Sequence, residues 1–249
     1  MNKKTASIKD VARLANVSIA TVSRYLHGKM DRMSAATAKQ VEIAINKLNY
    51  VPNAAARQLI THKSKTIAII VVNIADSFST ELYKGASIIL EKAGYTTVML
   101  DTDSQQEKEE HLINTVGLNT YDGLILQPLG SDVKMIKSEI KRNVPIVILD
   151  RKLDYSLWPQ VLSENYSASL KAAKYFQEHD FQNAIVLSSP IAVASTRQER
   201  LKGIKEIYQQ VQILELDEKL FQRQQIYDDL KVALSKNNGK TVLFFLEER

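Results

Sequence analysis

The amino-acid sequence predicts an all-α N-terminal segment joined to a larger α/β body of doubly wound parallel sheets. Three observations predict this fold class. Apolar residues recur at helical spacing in three short stretches of the first fifty residues, apolar runs alternate with amphipathic stretches from residue 66 onward, and basic charge is concentrated at the N-terminal end. With 249 residues, 45% of them hydrophobic, the chain is long enough to bury more than one core.

Composition excludes several classes of functional site. The chain contains no cysteine, which removes disulfides, thiolate zinc sites and thiol nucleophiles. Its eight glycines lie too far apart for a dinucleotide-binding fingerprint or a P-loop, and its four histidines are too scattered for a helical metal site. No stretch approaches the roughly 18 apolar residues of a membrane span, and the N-terminus lacks the apolar core of a signal peptide. We therefore expect a cytoplasmic protein without catalytic residues, metal or cofactor.

The charge is divided unevenly along the chain. Residues 1–65 carry twelve basic and three acidic side chains, a net charge of +9, whereas the rest of the chain carries 21 basic and 25 acidic side chains, a net charge of −4. Such asymmetry is typical of a nucleic-acid-binding headpiece attached to a larger domain. A solvated basic face is the alternative if charge is considered alone.

Two short helices are predicted across a tight turn near the N-terminus. Ser7 begins an S-x-x-D sequence that approximates a capping box, and apolar residues follow at helical spacing. Asn16 tolerates the left-handed conformation that a tight turn requires. Ser18 can then cap a second helix over Ile19 to Leu26, which Gly28 ends. The pattern indicates a helix-turn-helix.

In a helix-turn-helix, the second helix lies in the major groove of DNA. Val22 and Leu26 are four residues apart and are expected to face the core, which leaves the opposite side to DNA, namely Ile19, Ala20, Thr21, Ser23 and Arg24. Arg24 is suited to bidentate recognition of a guanine edge. A third helix, capped by Ser34, carries an apolar stripe that closes a small three-helix core.

Three stretches, SIKDVARLANVSIATVSRYLHG, SAAT and LNYVPNAAARQL, resemble the headpiece and hinge of the LacI/GalR family of bacterial transcriptional regulators. The family usually has Gly where Asn16 stands, Asn where His27 stands and Arg where Ala38 stands. The resemblance implies a DNA-binding headpiece over residues 1–50 and a hinge helix or linker over residues 51–62. It also implies a two-lobed effector-binding domain, with a first lobe over residues 63–158 and a second over residues 159–249.

Within the segment from Pro52 to Thr61, the stretch from Asn53 to Leu59 is a strong helix former, but so short a helix is marginal in isolation. The resemblance implies that two such hinge helices pair in the DNA minor groove, with Leu59 as an apolar wedge. An ordinary interdomain linker helix is the alternative. The DNA-contacting residues predicted from motif and resemblance together are Ser18, Ile19, Ala20, Thr21, Ser23, Arg24, His27, Ser34, Thr37, Tyr50, Asn53, Ala56 and Leu59.

From residue 66 the pattern becomes an alternation of strands and helices. Strands are predicted at 66–73, 95–101, 122–127, 145–149, 183–188 and 241–246. Helices are predicted at 79–93, 106–118, 131–142, 166–179, 195–210 and 222–237. Ligands of such doubly wound sheets bind at the carboxyl ends of the strands.

The body resembles a periplasmic-binding-protein-like sensor of two lobes. Position in that pattern implies effector contacts from Phe78, Ser79 and Arg200, with Thr196 one turn before Arg200 on the same helix face. Asp150, at the carboxyl end of a predicted strand, is a further candidate for the effector site. For Phe78 the alternative is core packing, and for Arg200 it is a surface ion pair with Glu199 or Glu206. Family members continue beyond the last predicted strand, so we expect an incomplete second lobe with an exposed strand edge at 241–246.

A functional hypothesis follows from the resemblance. It implies a homodimeric regulator, in most cases a repressor, that binds a double-stranded DNA operator of a catabolic operon and responds to a small-molecule effector such as a sugar or sugar acid. The alternative is a solute-binding protein or a sugar-processing α/β enzyme with a basic N-terminal arm. No membrane partner is expected.

Overall fold

The computed structural model describes residues 6–31, 33–52, 63–118, 121–216 and 223–246. The chain divides into two compact units, residues 1–64 and residues 65–249, and each is described by itself.

The N-terminal unit contains three helices: α1, Ile8–Leu14; α2, Ile19–Leu26; and α3, Ala35–Leu48. The predicted capping box is present at α1, where the backbone N–H of Ser7 donates to the Asp10 carboxylate at 3.0 Å. The turn between α1 and α2 contains Asn16 at a φ of 52°, and Gly28, at a φ of 68°, follows α2. Both left-handed residues stand where the sequence predicts a change of chain direction. The helices enclose a small apolar core of Val11, Ala12, Ala15, Val22, Val41 and Ala44.

The first lobe of the larger unit is a five-stranded sheet covered by helices. In chain order its elements are β1, Thr66–Val71; α4, Ser77–Lys92; β2, Thr96–Asp101; α5, Gln106–Leu118; β3, Gly123–Leu126; α6, Val133–Glu139; β4, Ile146–Leu149; and β5, Gln160–Val161. All strand pairs are parallel, in the order β2-β1-β3-β4-β5.

The interior strand β1 shows how the sheet is buried on both faces. Ile67, Ile69 and Val71 pack on the side of α4, whereas Ala68 and Ile70 pack on the other side with residues of α5 and α6. A strand buried on both faces reads as a continuous apolar run, as TIAIIV does.

The second lobe repeats this arrangement around a three-stranded sheet. Its elements are α7, Asn165–Glu178; β6, Phe181–Ser188; a 3-10 turn, Ile191–Val193; α8, Ser195–Lys205; β7, Val211–Glu215; α9, Arg223–Ser235; and β8, Lys240–Phe245. The order is β7-β6-β8, again parallel. Helices α7 and α8 cover one face and α9 covers the other. The predicted fold class, a helix-turn-helix headpiece followed by a doubly wound, two-lobed α/β body, is confirmed.

Two local predictions were wrong. The helix predicted over 195–210 ends at Lys205, and β7 follows it. The predicted lobe boundary at residue 158 falls short, because Gln160 and Val161 of β5 pair with β4 and belong to the first sheet. At the other end of the body, β8 is an edge strand among the described residues, and Phe245 on it is 64% exposed.

None of the helices in the described parts of the chain is long and apolar enough to cross a membrane.

Candidate functional site

The first candidate surface is the outer face of α2. Val22 is completely buried and Leu26 packs partly against the same core, as their spacing predicts. The opposite face is open: Ile19 is 46% exposed, and Ala20 and Arg24 are exposed as well. The exposed face of this helix therefore presents apolar groups at its first turn and a guanidinium at its last turn, while Val22 and Leu26 pack the opposite face into the core.

Two hydroxyl pairs mark the N-termini of α2 and α3. The Ser18 hydroxyl accepts the Thr21 N–H at 3.1 Å and lies 2.9 Å from the Thr21 hydroxyl. Ser34 and Thr37 repeat this arrangement at 3.1 and 2.8 Å. Both capping serines are exposed. A helix N-terminus that carries hydroxyl groups suits a phosphate group, and all four residues are among those predicted to contact DNA.

Ser23, His27 and Tyr50 are the remaining headpiece residues predicted to contact DNA. Ser23 is half-buried, and its carbonyl accepts a hydrogen bond from Nδ1 of the exposed His27 at 2.6 Å. Tyr50 packs partly against the headpiece core. The hinge residues Asn53, Ala56 and Leu59 lie outside the described residues.

The second candidate site begins at the carboxyl edge of the first sheet. Gln127, directly after β3, is buried, and its amide oxygen accepts the Val72 N–H at 3.0 Å and the Ser79 hydroxyl at 3.2 Å. Its amide nitrogen donates to Oδ2 of Asp150 at 3.0 Å. The ends of β1, β3 and β4 and the first turn of α4 are therefore joined through one side chain.

The three effector-contact residues predicted in the first lobe differ in their exposure to solvent. Phe78, at the start of α4, is 37% exposed, which argues against the alternative of core packing. Ser79 is completely buried and supports Gln127 instead of facing solvent, so its predicted direct contact with an effector is not available in this conformation. Asp150 is buried and has a φ of 64°. Left-handed backbone at a non-glycine residue costs about 1–3 kcal/mol and occurs preferentially at functional sites.

Arg200 occupies the carboxyl edge of the second sheet. Its Nε donates to the Asn165 side chain at 2.7 Å, and its Nη1 donates to the Leu246 carbonyl at 2.5 Å. These partners lie at the first residue of α7 and just beyond β8, so Arg200 is held over the strand ends. Thr196, one turn earlier on α8, is half-buried. Among the described residues Arg200 forms no ion pair with Glu199 or Glu206, so the alternative of a surface ion pair is wrong.

One hydrogen bond joins the segment after β4 to the second lobe. The backbone N–H of Lys152 donates to the Ser195 hydroxyl at 3.0 Å. Ser195 is the first residue of α8, the helix that carries Thr196 and Arg200. The chain crossing between the lobes is therefore tied directly to the helix that bears the second-lobe site.

Sequence reasoning missed two buried polar residues beside the first-lobe site. Gln127 is one of them, and Glu109 on α5 is the other. Glu109 is completely buried, and its carboxylate accepts the N–H groups of Leu129, Gly130 and Ser131 at 2.7–3.1 Å together with the Ser131 hydroxyl at 2.6 Å. It fixes the loop that follows Gln127. Within the described ranges, no group of three or more His, Asp or Glu side chains is arranged to hold a metal ion.

Comparison with known proteins gives consistent results. Residues 7–53 match the family description "Bacterial regulatory proteins, lacI family", and residues 64–231 match "Periplasmic binding proteins and sugar binding domain of LacI family". The HTH-type transcriptional regulator KdgR of Bacillus subtilis (strain 168) is 31% identical over 210 residues, which is 83% of this chain and 62% of KdgR. The chain spans about three fifths of the length of the curated relatives it matches.

Solved structures show the same likeness. A LacI transcriptional regulator from Lactobacillus brevis has 38% sequence identity and a TM-score of 0.70, over 73% of this chain and 69% of that protein. The lac repressor dimer bound to operator and the anti-inducer ONPF has a TM-score of 0.78 over 97% of this chain and 74% of that one. At 20% identity, this second likeness concerns the fold alone.

Proposed function

Because the chain belongs to the LacI family of bacterial regulatory proteins, we propose that it is a sequence-specific DNA-binding transcriptional repressor of a catabolic operon. It acts in the cytoplasm as a homodimer, and a sugar or sugar acid controls its affinity for the operator. The family descriptions and the named relatives favour a regulator over the sugar-processing enzyme considered from the sequence.

The exposed face of α2 carries this proposal. Val22 anchors the helix in the core, and Ile19, Ala20 and Arg24 are left for a partner. Apolar side chains contact thymine methyl groups, and a guanidinium recognises the guanine edge by two hydrogen bonds. The capping hydroxyl groups of α2 and α3 are suited to flanking phosphates. Two such helices in a symmetric dimer require a pseudo-palindromic operator.

The effector is proposed to bind between the carboxyl edges of the two sheets. The first lobe contributes a hydrogen-bond acceptor, the Asp150 carboxylate, and a partly exposed aromatic ring, Phe78. The second lobe contributes a donor, the Arg200 guanidinium. Hydroxyl groups satisfy a carboxylate, a sugar face stacks on an aromatic ring, and a carboxylate or carbonyl oxygen satisfies an arginine. A sugar acid offers all of these groups, and a neutral sugar offers the hydroxyl groups and the stacking face.

Regulation then takes the form of a population shift. The effector changes DNA affinity only to the extent that it binds the DNA-competent and DNA-incompetent conformations with different affinity. The hydrogen bond from Lys152 to Ser195 joins the lobes beside the proposed site, so a change in lobe angle strains or breaks it.

Selection of bound duplexes from a random-sequence library tests the DNA-binding part. We expect enrichment of one pseudo-palindromic sequence, and no enrichment over the starting library would contradict the proposal. The effector part is tested on the selected duplex with a panel of D-ribose, cellobiose, D-gluconate and fructose 1-phosphate. At least one compound should change duplex affinity in the wild type and in the surface control Lys205→Ala but not in Arg200→Ala.

A further inference from the structure

Gln127 holds a fixed orientation that no motif in the sequence indicates. A glutamine amide has one acceptor oxygen and one donor nitrogen, and its orientation follows from its hydrogen-bond partners. The Val72 backbone N–H lies 3.0 Å from Oε1 and can only donate, so it defines that atom as the oxygen. The Ser79 hydroxyl adds a second donor to the same atom. The donor nitrogen of Gln127 must then point to Asp150.

The orientation of Gln127 determines which oxygen of the Asp150 carboxylate is bound within the protein. Oδ2 accepts from Gln127 at 3.0 Å, whereas Oδ1 has no hydrogen-bond partner among the described residues. The backbone of Asp150 is fixed as well, because its N–H donates to the Val161 carbonyl at 2.8 Å and its φ is 64°. One oxygen is therefore bound internally, and the other is left at the carboxyl end of β4 to accept a hydrogen bond.

We propose that Gln127 is a positioning residue of the effector site, which turns the Asp150 carboxylate so that Oδ1 accepts a hydroxyl group of a bound sugar. This inference rests on the proposed function, because it assumes that a sugar binds at Asp150. Through Ser79, the same amide connects the site to the first turn of α4, next to Phe78. Gln127 itself does not touch the sugar.

The test exchanges donor and acceptor between the two side chains. In Gln127→Glu, the new carboxylate still accepts from Val72 and Ser79 but faces Asp150 with an oxygen instead of a donor. In Asp150→Asn, the amide oxygen must accept from Gln127, so its nitrogen faces the sugar hydroxyl. In the double variant, the new amide at position 150 donates to the new carboxylate at position 127 and again presents an oxygen to the sugar. The double variant also retains one negative charge in the pair.

Calorimetry with the panel sugar that binds the wild type most tightly measures the outcome. We expect each single variant to lose affinity by about tenfold or more, and the double variant to bind at least about fivefold more tightly than Asp150→Asn. A purely structural role predicts additive losses, with no rescue.

Gln209→Glu makes the same chemical change at an exposed position and should leave sugar affinity unchanged. Thermal unfolding of every variant shows whether a loss of affinity follows a loss of folded protein. If Gln127→Glu binds like the wild type, or if the double variant binds no better than Asp150→Asn, the positioning role is refuted while sugar binding stands. If the wild type binds no sugar of the panel, the effector function fails, and this inference fails with it.

Discussion

Replacement of Arg24 by alanine separates base recognition from general attraction to DNA. Arg24 is exposed in the last turn of α2, and its guanidinium has no protein partner among the described residues. The substitution therefore breaks no internal contact, and its effect on folding is limited to the helix-dipole interaction of about 0.3–1 kcal/mol. A bidentate contact with guanine contributes about 1–3 kcal/mol of discrimination, so the ratio of operator to scrambled-duplex affinity should fall about 5- to 150-fold.

Arg13→Ala is the matched control. Arg13 is also an exposed arginine in the last turn of its helix, α1, and its one ion pair among the described residues is an exposed one with Asp10 at 3.5 Å. Its loss removes the same charge from the headpiece, so operator and scrambled duplex should weaken by similar factors.

Fluorescence anisotropy with both duplexes over a range of salt concentrations measures the two variants. Loss of a phosphate contact lowers the salt slope by about 0.9, whereas loss of a base contact does not. Arg24→Ala should therefore keep the wild-type salt slope and lose its preference for the operator. Equal losses on operator and scrambled DNA would refute the assignment of Arg24 as a base-reading residue.

Three further predictions concern other parts of the chain. Leu59→Ala should lower operator affinity in gel shifts and spare binding to scrambled DNA, because an apolar wedge acts only on a bent site; an equal effect on both DNAs would point to a plain linker. Glu109→Gln should lower the free energy of unfolding, measured in urea, by about 2–3 kcal/mol, because one of the oxygens that accept from the 129–131 loop becomes a donor nitrogen. The control Glu110→Gln, on the exposed side of α5, should change the free energy of unfolding by less than about 0.5 kcal/mol. Burial raises the pKa of Tyr208 above its ordinary value of 10.0, so the folded state holds the phenolic proton more tightly than the unfolded state. The resulting stability is intact below pH 10 and is lost as the pH rises through the folded pKa. Tyr208→Phe should therefore make the decline in melting temperature at alkaline pH shallower.

Local sequence chemistry predicts the headpiece well. Each helix begins at a serine that caps it, and each change of direction falls on a residue that accepts a positive φ, namely Asn16 and Gly28. These signals act within four or five residues, so they can be read without knowledge of the tertiary structure.

The second lobe shows where local reasoning fails. No glycine or proline follows Lys205 closely, so the local pattern predicts a helix as far as residue 210, yet the helix ends at Lys205 and β7 begins at Val211. The strand exists because VQILE pairs with β6, in a register that joins Val186 to Ile213. That pairing depends on residues about 27 positions away, which the local pattern does not contain.

The candidate site divides in the same way. Arg200 is predicted from its position in a family pattern and Asp150 from its place after a predicted strand, and the structure has both at strand ends. Gln127 and Glu109 carry no such signal, because a glutamine after a strand and a glutamate within an acidic helix are ordinary surface residues by sequence. Their roles depend on partners from distant segments, such as Val72 and Asp150, and only the folded chain brings these together.

Removal of residues 1–62 tests the central claim most directly. Anisotropy with the selected duplex and thermal unfolding with the panel sugars are compared for the full chain and for residues 63–249. If the N-terminal unit recognises DNA, residues 63–249 should lose DNA binding completely and should keep the rise in melting temperature that the sugar causes. Retention of sequence-specific DNA binding by residues 63–249 would contradict the assignment of DNA recognition to the headpiece.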